Sequence, residues 1–230
     1  MTEKRKNEQN NQLLIFGGII GVVVAVVVGV IFFQQSSSGS AVNYDELTTT
    51  RLDDGTYVLG DPDAPITMVV FEDFMCPHCQ SYQDTVHQFI EQHVVTGEAK
   101  FEFRMLVAID PNLSTLAFEL VECAAILDGN PSTFWTAHDT MFDITSSQRF
   151  SEQGARDFAE RMGISYGALL ECVEDDADQW EADARLANTQ DWVTGTPAVG
   201  WRNASGALLK QPLSGRPSIQ ELSALVATQQ

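Results

Sequence analysis

The chain has 230 residues, of which 44% are hydrophobic and 20% are charged, a composition that fits one globular domain with short additions. Lysine and arginine total 13 against 32 aspartate and glutamate, so the formal net charge is −19. Nucleic-acid binding needs a basic surface to neutralise phosphates, and this charge balance excludes it. The same balance disfavours binding of the folded part to anionic lipid surfaces.

An uninterrupted apolar run at residues 13–33 contains no charged or polar side chain. A helix of this length spans a hydrocarbon core of about 30 Å. The basic run at residues 4–6 lies in the polar segment 1–12, so the positive-inside rule predicts a cytoplasmic N-terminus and places everything after Phe33 outside. The alternative is a signal peptide cleaved before Ala41, but the apolar region of such a peptide has only about 7–15 residues. We therefore predict a single-pass anchor in the cell membrane.

Residues 34–55 are predicted to be a flexible linker, because Gln, Ser and Gly dominate its first part and leave nothing to bury. The apolar and β-branched run at residues 66–71 predicts a buried strand. Pro77 then begins a predicted helix, which ends at Gly97. Alternating apolar and charged residues at 101–105 predict a second strand, so this part of the chain has a β-α-β pattern.

The rest of the chain is predicted to be a helical block, a strand pair and a last helix. Three apolar stripes at helical spacing lie between residues 111 and 189. Residues 198–201 and 207–209 predict two short strands joined by a turn. Ser218 and Glu221 match a capping box before a final amphipathic helix.

The chemistry of the chain centres on Cys76-Pro77-His78-Cys79, at the end of a predicted strand and the start of a predicted helix. A zinc site needs two further ligands at finger-like spacing, which the sequence lacks. A c-type haem site needs His where Gln80 stands. A purely structural disulfide is the remaining alternative, but a position at a helix N-terminus favours a redox-active pair.

Cys76 is predicted to be the nucleophile, because free N–H groups and the helix dipole at a helix N-terminus favour a thiolate. His78 adds a hydrogen-bond donor or a positive charge at the same end. A stabilised thiolate stabilises the reduced form, which makes the disulfide a stronger oxidant. Cys79 lies one turn inward, so it is predicted to be the resolving thiol that attacks a mixed disulfide on Cys76.

A second feature is the segment Gly195-Thr196-Pro197, which lies just before a predicted strand. A proline in this position indicates a special backbone conformation. The sequence leaves open whether the bond before Pro197 is cis or whether this is an ordinary turn proline.

A strand that leads into Cys-Pro-His-Cys and a helix, with a late Gly-Thr-Pro before a strand pair, resembles the thioredoxin superfamily. More narrowly, it resembles the membrane-tethered DsbA-like thiol-disulfide oxidoreductases, as does Asp73, three residues before the first cysteine. The resemblance covers about residues 56–228. It implies an α/β thioredoxin fold whose two parts, 56–110 and 190–230, flank an inserted helical domain at 111–189.

The resemblance also implies roles for individual residues. Pro197 is expected in cis beside the cysteine pair, with Thr196 offering backbone hydrogen bonds to a substrate chain. Related enzymes often carry a buried Glu, a proton acceptor, six positions before the first active cysteine, but Val70 stands there. Glu72 faces the same side of the strand. A solvated strand-end carboxylate is the preferred interpretation of Glu72, and its use in place of the missing Glu stays open.

Cys123 and Cys172 fall on two different predicted helices of the inserted domain. Outside the cytoplasm, paired thiols oxidise and stay oxidised. We therefore favour a structural disulfide between them over two buried free thiols.

The sequence thus predicts an outward-facing thiol-disulfide oxidoreductase that donates the disulfide of Cys76 and Cys79 to exported proteins with free thiols. The resemblance implies a quinone-linked membrane protein of the DsbB or vitamin K epoxide reductase type as the reoxidant. It implies no bound cofactor, and no metal is expected. A reductase or isomerase with the same site is the alternative enzyme, and a tethered, non-catalytic peptide-binding module is the alternative outside enzymes.

Overall fold

The computed structural model describes residues 42–175, 177–210 and 216–228. The predicted membrane anchor at 13–33 and the cytoplasmic tail at 1–12 lie outside the described residues. Among the residues that are described, no helix has both the length and the apolar character needed to cross a membrane.

In the described part of the chain, six strands form one mixed sheet in the order β1-β2-β4-β3-β5-β6. The β3–β4 pair is parallel and the other neighbouring pairs are antiparallel. A parallel pair needs a crossover connection, and the crossover between β3 and β4 contains the cysteine pair. The strands are β1 Thr49–Arg51, β2 Tyr57–Leu59, β3 Thr67–Glu72, β4 Lys100–Met105, β5 Ala198–Arg202 and β6 Leu208–Lys210.

Helices α3 to α7 lie between β4 and β5 in the chain, so the α/β fold carries the helical insertion that the resemblance implies. A π-helical turn, Ile90–Val94, directly follows α2. The helices are α1 Pro77–Gln80, α2 Gln83–Phe89, α3 Pro111–Asp128, α4 Thr133–Ser147, α5 Glu152–Met162, α6 Tyr166–Asp175, α7 Gln179–Asn188 and α8 Ile219–Ala227.

The central strand β3 presents hydrophobic side chains on both faces of the sheet. Successive side chains of a strand point to opposite faces, and every residue of β3 is buried. Val70 and Phe103 lie in the main hydrophobic core. Val69 and Phe71 pack on the opposite face with Ala187 of α7. The sheet is therefore covered on both sides, which explains why β3 reads as a continuous apolar run.

The folded domain begins earlier than the sequence predicts. Residues 42–55, assigned to the flexible linker, contain a 3₁₀ turn, Tyr44–Glu46, and the edge strand β1. Tyr44 is buried, and its hydroxyl donates to Asp139 of α4 at 2.6 Å. The linker prediction is wrong for this segment, because the Gln- and Ser-rich composition ends before Tyr44, and the ring of Tyr44 packs into the core.

The single helix predicted after Pro77 is divided in two. The amide of Tyr82 donates to the carbonyl of Cys79 at 2.9 Å. This hydrogen bond spans three residues, as in a 3₁₀ turn, and it separates α1 from α2. The Tyr82 hydroxyl donates to the carbonyl of Pro217 at 2.9 Å. This second bond holds the junction of α1 and α2 against the segment that leads into α8.

Candidate active site

Cys76 occupies the N-cap position of α1, with Pro77 in the first turn. Its amide donates to the carbonyl of Asp73 at 2.9 Å, so a tight turn carries the chain from β3 into the helix. Its Sγ donates to the carbonyl of Thr196 at 3.4 Å, and the Thr196–Pro197 peptide bond is cis. The fold thus brings together two segments that lie 120 residues apart in the chain.

The second thiol, Cys79, lies beneath the first. Both cysteines are free thiols, and Cys79 is fully buried while Cys76 is 3% exposed. Burial raises the pKa of the Cys79 thiol, and the nearby charge of Glu72 raises it further. Cys79 therefore needs a neighbouring group that accepts its proton before it can act as a nucleophile.

Glu72, at the end of β3, is fully buried. Its Oε1 accepts a hydrogen bond from Nε2 of Gln83 at 3.0 Å, and burial raises the pKa of Glu72 to about 8. The expectation of a solvated strand-end carboxylate is wrong, because the packing around the end of β3 excludes solvent from this side chain. Val70, at the position where related enzymes carry Glu, is a fully buried core residue.

Asp73 fixes the loop between β3 and Cys76. One carboxylate oxygen accepts from the amide of Met75 at 2.8 Å. The other accepts from the amides of Ala108 and Ile109, both at 2.9 Å, and from the hydroxyl of Ser114 at 3.0 Å. The carboxylate therefore ties the active-site loop to the start of the helical insertion.

Pro77 and His78, between the two cysteines, lie exposed at the surface. The carbonyl of His78 accepts from the hydroxyl of Ser81 at 3.0 Å and from Nη1 of Arg216 at 3.4 Å. Arg216 also donates to the Ser81 hydroxyl at 3.0 Å. Sequence reasoning missed Arg216, since an exposed arginine 138 residues away carries no local signal of this contact.

Gln80, in α1, also escaped the sequence analysis as a site residue. Its Nε2 donates to the carbonyl of Phe74 at 2.9 Å and to the carbonyl of Thr145 in α4 at 3.1 Å. The amide joins the active-site helix to the helical insertion. A glutamine after the cysteine pair has many other uses, so only the folded contacts identify this one.

Cys123 of α3 and Cys172 of α6 form a disulfide with a Cα–Cα distance of 5.9 Å. Both residues are buried. The bond links two helices of the insertion and leaves the Cys76 and Cys79 thiols as a separate pair.

Comparisons of the sequence with known proteins identify similar proteins. Disulfide bond formation protein D of Bacillus subtilis is 32% identical over 92 residues, which is 39% of this chain and 39% of that protein. A putative protein-disulfide oxidoreductase of Rickettsia bellii is 25% identical over 153 residues, which is 65% of this chain and 55% of that protein. The chain thus spans less than two thirds of the length of these two relatives.

The fold is similar to that in the crystal structure of oxidised BdbD from Bacillus subtilis, with a TM-score of 0.61 and 22% sequence identity. The superposition covers 75% of this chain and 91% of the BdbD chain. At this level of identity, the likeness shows that the two chains share a fold. The family model described as "Thioredoxin" matches residues 52–201, which is more than half of the chain and contains both cysteine pairs and Pro197. This protein belongs to the thioredoxin family.

Proposed function

We propose that this protein is a DsbA-like thiol-disulfide oxidoreductase that works as an oxidase, donating the disulfide of Cys76 and Cys79 to exported proteins. The observation that carries the proposal is the contact of Cys76 Sγ with the Thr196 carbonyl, above a second thiol that is fully buried. Two similar proteins support it, since one is named for disulfide bond formation and the other for protein-disulfide oxidoreduction.

The reaction begins when a substrate thiolate attacks Sγ of Cys76 in the enzyme disulfide. The Cys76–Cys79 bond breaks, and Cys79 leaves as a thiolate that takes up a proton. Glu72 supplies this proton, because its raised pKa, caused by burial, keeps most of it protonated at neutral pH. A second substrate thiolate then attacks the substrate sulfur of the mixed disulfide and releases Cys76 as a thiolate. The substrate loses two electrons and the enzyme gains them.

The backbone of Thr196 holds the substrate chain beside Cys76. Pro197 has no N–H, so the chain at this point offers its polar groups through the residue before it. In the reduced state the Thr196 carbonyl accepts from Cys76. When Cys76 is bonded to a substrate sulfur, this carbonyl is available to accept an amide N–H from the substrate backbone.

The same proposal places the catalytic domain outside the cytoplasm, anchored by residues 13–33 with the N-terminus inside. Reduced enzyme is reoxidised by a quinone-linked membrane protein of the DsbB or vitamin K epoxide reductase type. Protease added to intact cells or spheroplasts should digest the domain. Protection of the domain from protease would contradict this location and the oxidising role that depends on it.

Trapping of substrates tests the thiol exchange itself. Cys79→Ala keeps Cys76 able to form a mixed disulfide but removes the internal thiol that resolves it. Exported proteins should accumulate as adducts on non-reducing gels, and the adducts should vanish with reductant. The double variant Cys76→Ala, Cys79→Ala should give none. A lack of adducts with Cys79→Ala would favour the peptide-binding module.

The reduction potential of the Cys76–Cys79 pair separates oxidase from reductase. A potential above about −200 mV fits an oxidase that passes its disulfide to substrates, and one well below this value fits a reductase. Equilibration of the protein with glutathione buffers, followed by alkylation and mass spectrometry, gives the potential.

A further inference from the structure

Glu72 of β3, four residues before Cys76, and Gln83 of α2, four residues after Cys79, form a buried pair. Glu72 is fully buried and Gln83 is 7% exposed. The Gln83 amide donates to Oε1 of Glu72 at 3.0 Å. Within the described residues, Oε2 of Glu72 and Oε1 of Gln83 are both buried without a hydrogen-bond partner. Buried polar oxygens without partners are costly and rare, so a role in packing alone does not explain this pair.

The ionisable groups around Glu72 come from three elements. Burial raises the pKa of Cys79 in α1 and of Tyr82 at the junction of α1 and α2, and the charge of Glu72 raises both further. His87 of α2 favours the carboxylate form of Glu72, and Asp139 of α4 disfavours it. The ionisation of Glu72 and that of Cys79 are therefore coupled, because an anion on one opposes an anion on the other.

We propose that Gln83 is a positioning residue that sets how readily Glu72 exchanges a proton with Cys79. This inference rests on the proposed thiol exchange. When Cys79 resolves a mixed disulfide, its S–H proton passes to the Glu72 carboxylate and its sulfur bonds to Sγ of Cys76. The bond between Cys76 and the outgoing sulfur breaks, and that sulfur leaves as a thiolate with the bonding electron pair.

The amide of Gln83 acts on this proton transfer through a single contact. A hydrogen bond to an ionised oxygen is about twice as strong as one between neutral groups. The bond to Oε1 therefore stabilises the carboxylate form more than the acid, and it leaves Oε2 free to carry the proton. Loss of the amide should make Glu72 hold its proton to higher pH, so Cys79 should resolve mixed disulfides only at higher pH.

Gln88 provides a matched control on the same helix. It is exposed, and its Nε2 donates to the carbonyl of Asp84 at 3.0 Å. Gln88→Leu and Gln83→Leu make the same chemical change to α2. Only the second removes a bond to Glu72.

The experiment uses the reduced full chain in detergent and the aromatic disulfide dithiobis(nitrobenzoate). Cys76 attacks this probe and keeps one thionitrobenzoate, which Cys79 then displaces. Stopped-flow absorbance follows the second release between about pH 6 and 10. In the wild type, the rate should rise through a midpoint set by Glu72. In Gln83→Leu this midpoint should move up by about one pH unit, and in Gln88→Leu it should not move.

Two further variants connect the shift to Glu72. Glu72→Gln should abolish the midpoint, and adding Gln83→Leu to it should have no additional effect on the pH profile. If Gln83→Leu does not fold, Gln83→Met keeps an unbranched side chain without the amide. The ¹³C signal of the Glu72 carboxyl carbon, identified by its loss in Glu72→Gln, should titrate at higher pH in Gln83→Met.

The outcomes separate this inference from the proposed function. A wild-type protein that shows the midpoint, with Gln83 variants that neither move it nor shift the Glu72 carboxyl titration, overturns the inference and leaves thiol exchange intact. An equal shift in Gln88→Leu also overturns it. A wild-type protein that never releases the second thionitrobenzoate contradicts the exchange chemistry, and the proposed function falls with it.

Discussion

Two thiols one helical turn apart occupy different environments in this protein. Cys76 lies at the N-cap of α1, and its Sγ contacts the carbonyl of Thr196. Cys79 is fully buried, and burial and Glu72 raise the pKa of its thiol. At neutral pH, iodoacetamide should therefore alkylate Cys76 at least about tenfold faster than Cys79. Timed quenching and mass spectrometry of the peptides measure both rates. Faster alkylation of Cys79 would reverse the assigned roles.

Glu72 should make the stability of the reduced protein depend on pH. Its pKa is raised by burial from 4.5 to about 8, so folding favours the protonated form. This contribution to stability is complete below about pH 4.5 and is lost as pH rises through about 8. Between these pH values, the free energy of unfolding should therefore decrease less in Glu72→Gln than in the wild type. The two decreases should differ by about 2 kcal/mol or more.

Urea denaturation at a series of pH values measures this difference. Glu160→Gln, which changes an exposed carboxylate on α5 in the same way, should follow the wild type. Parallel pH profiles for the wild type and Glu72→Gln would show that Glu72 is not held in its protonated form by the fold.

Among the elements, α3 and α6 of the insertion are joined by the disulfide of Cys123 and Cys172, which lie 49 residues apart. Closing a loop of this length stabilises a protein by about 4 kcal/mol when the effect is ascribed to chain entropy. The double variant Cys123→Ala, Cys172→Ala should therefore unfold at a markedly lower temperature. Its rate of Cys76 alkylation should stay close to that of the wild type. An unchanged unfolding temperature would show that the bond contributes nothing to stability.

The segment between α7 and β5 contains Thr196, and the side chain of Trp192 in this segment packs against the sheet. A Cβ at Gly200 of β5 would lie 2.5 Å from Cη2 of Trp192. Trp192 also packs edge-on against Phe71 of β3, with ring centroids 5.9 Å apart. Gly200→Ala should therefore displace the indole and destabilise the protein by about 1–3 kcal/mol.

The displaced segment should also bind substrate less well, because Thr196 would move with it. The KM for oxidation of a dithiol peptide should rise several-fold in Gly200→Ala. Gly167→Ala in α6, where the nearest atom to a new Cβ is 3.7 Å away, should change neither stability nor KM appreciably. A normal KM in Gly200→Ala would contradict the positioning of Thr196 by Trp192.

Local patterns in the sequence were sufficient to predict the central strands and the cysteine pair. β3 is a continuous apolar run and β4 alternates, and both signals are complete within six residues. β1 and β2 have three residues each, too few to show a periodicity. The pairing of β1 with β2, and of β2 with β4, comes from contacts that only the folded chain makes.

The same distinction applies to the site. Cys76, Cys79 and Pro197 belong to short motifs, so the sequence indicated them directly. The burial of Glu72 depends on how the surrounding elements pack over the end of β3, which no property of the strand itself determines. Gln83 is one glutamine on a helix, and its role depends on the partner that the fold places 3.0 Å away.

At the scale of the whole molecule, the dominant electrostatic feature is the net charge of −19. Like charges on one surface repel each other and destabilise the compact state. Salt screens this repulsion, since the Debye length falls from about 10 Å at 0.1 M to about 3 Å at 1 M. The buried ion pair of Arg104 with Glu102, at 2.6 Å, is screened much less than charges at the surface.

The unfolding temperature should therefore rise when sodium chloride is increased from about 0.02 to 0.3 M, where screening dominates the effect of salt. Scanning calorimetry of the reduced and oxidised protein measures this rise. Reversing the sign of exposed acidic residues on α5, for example by Glu160→Lys, should reduce the dependence on salt by making the net charge less negative. A salt-induced decrease in the unfolding temperature would mean that attractive ion pairs, and not self-repulsion, control the stability of this surface.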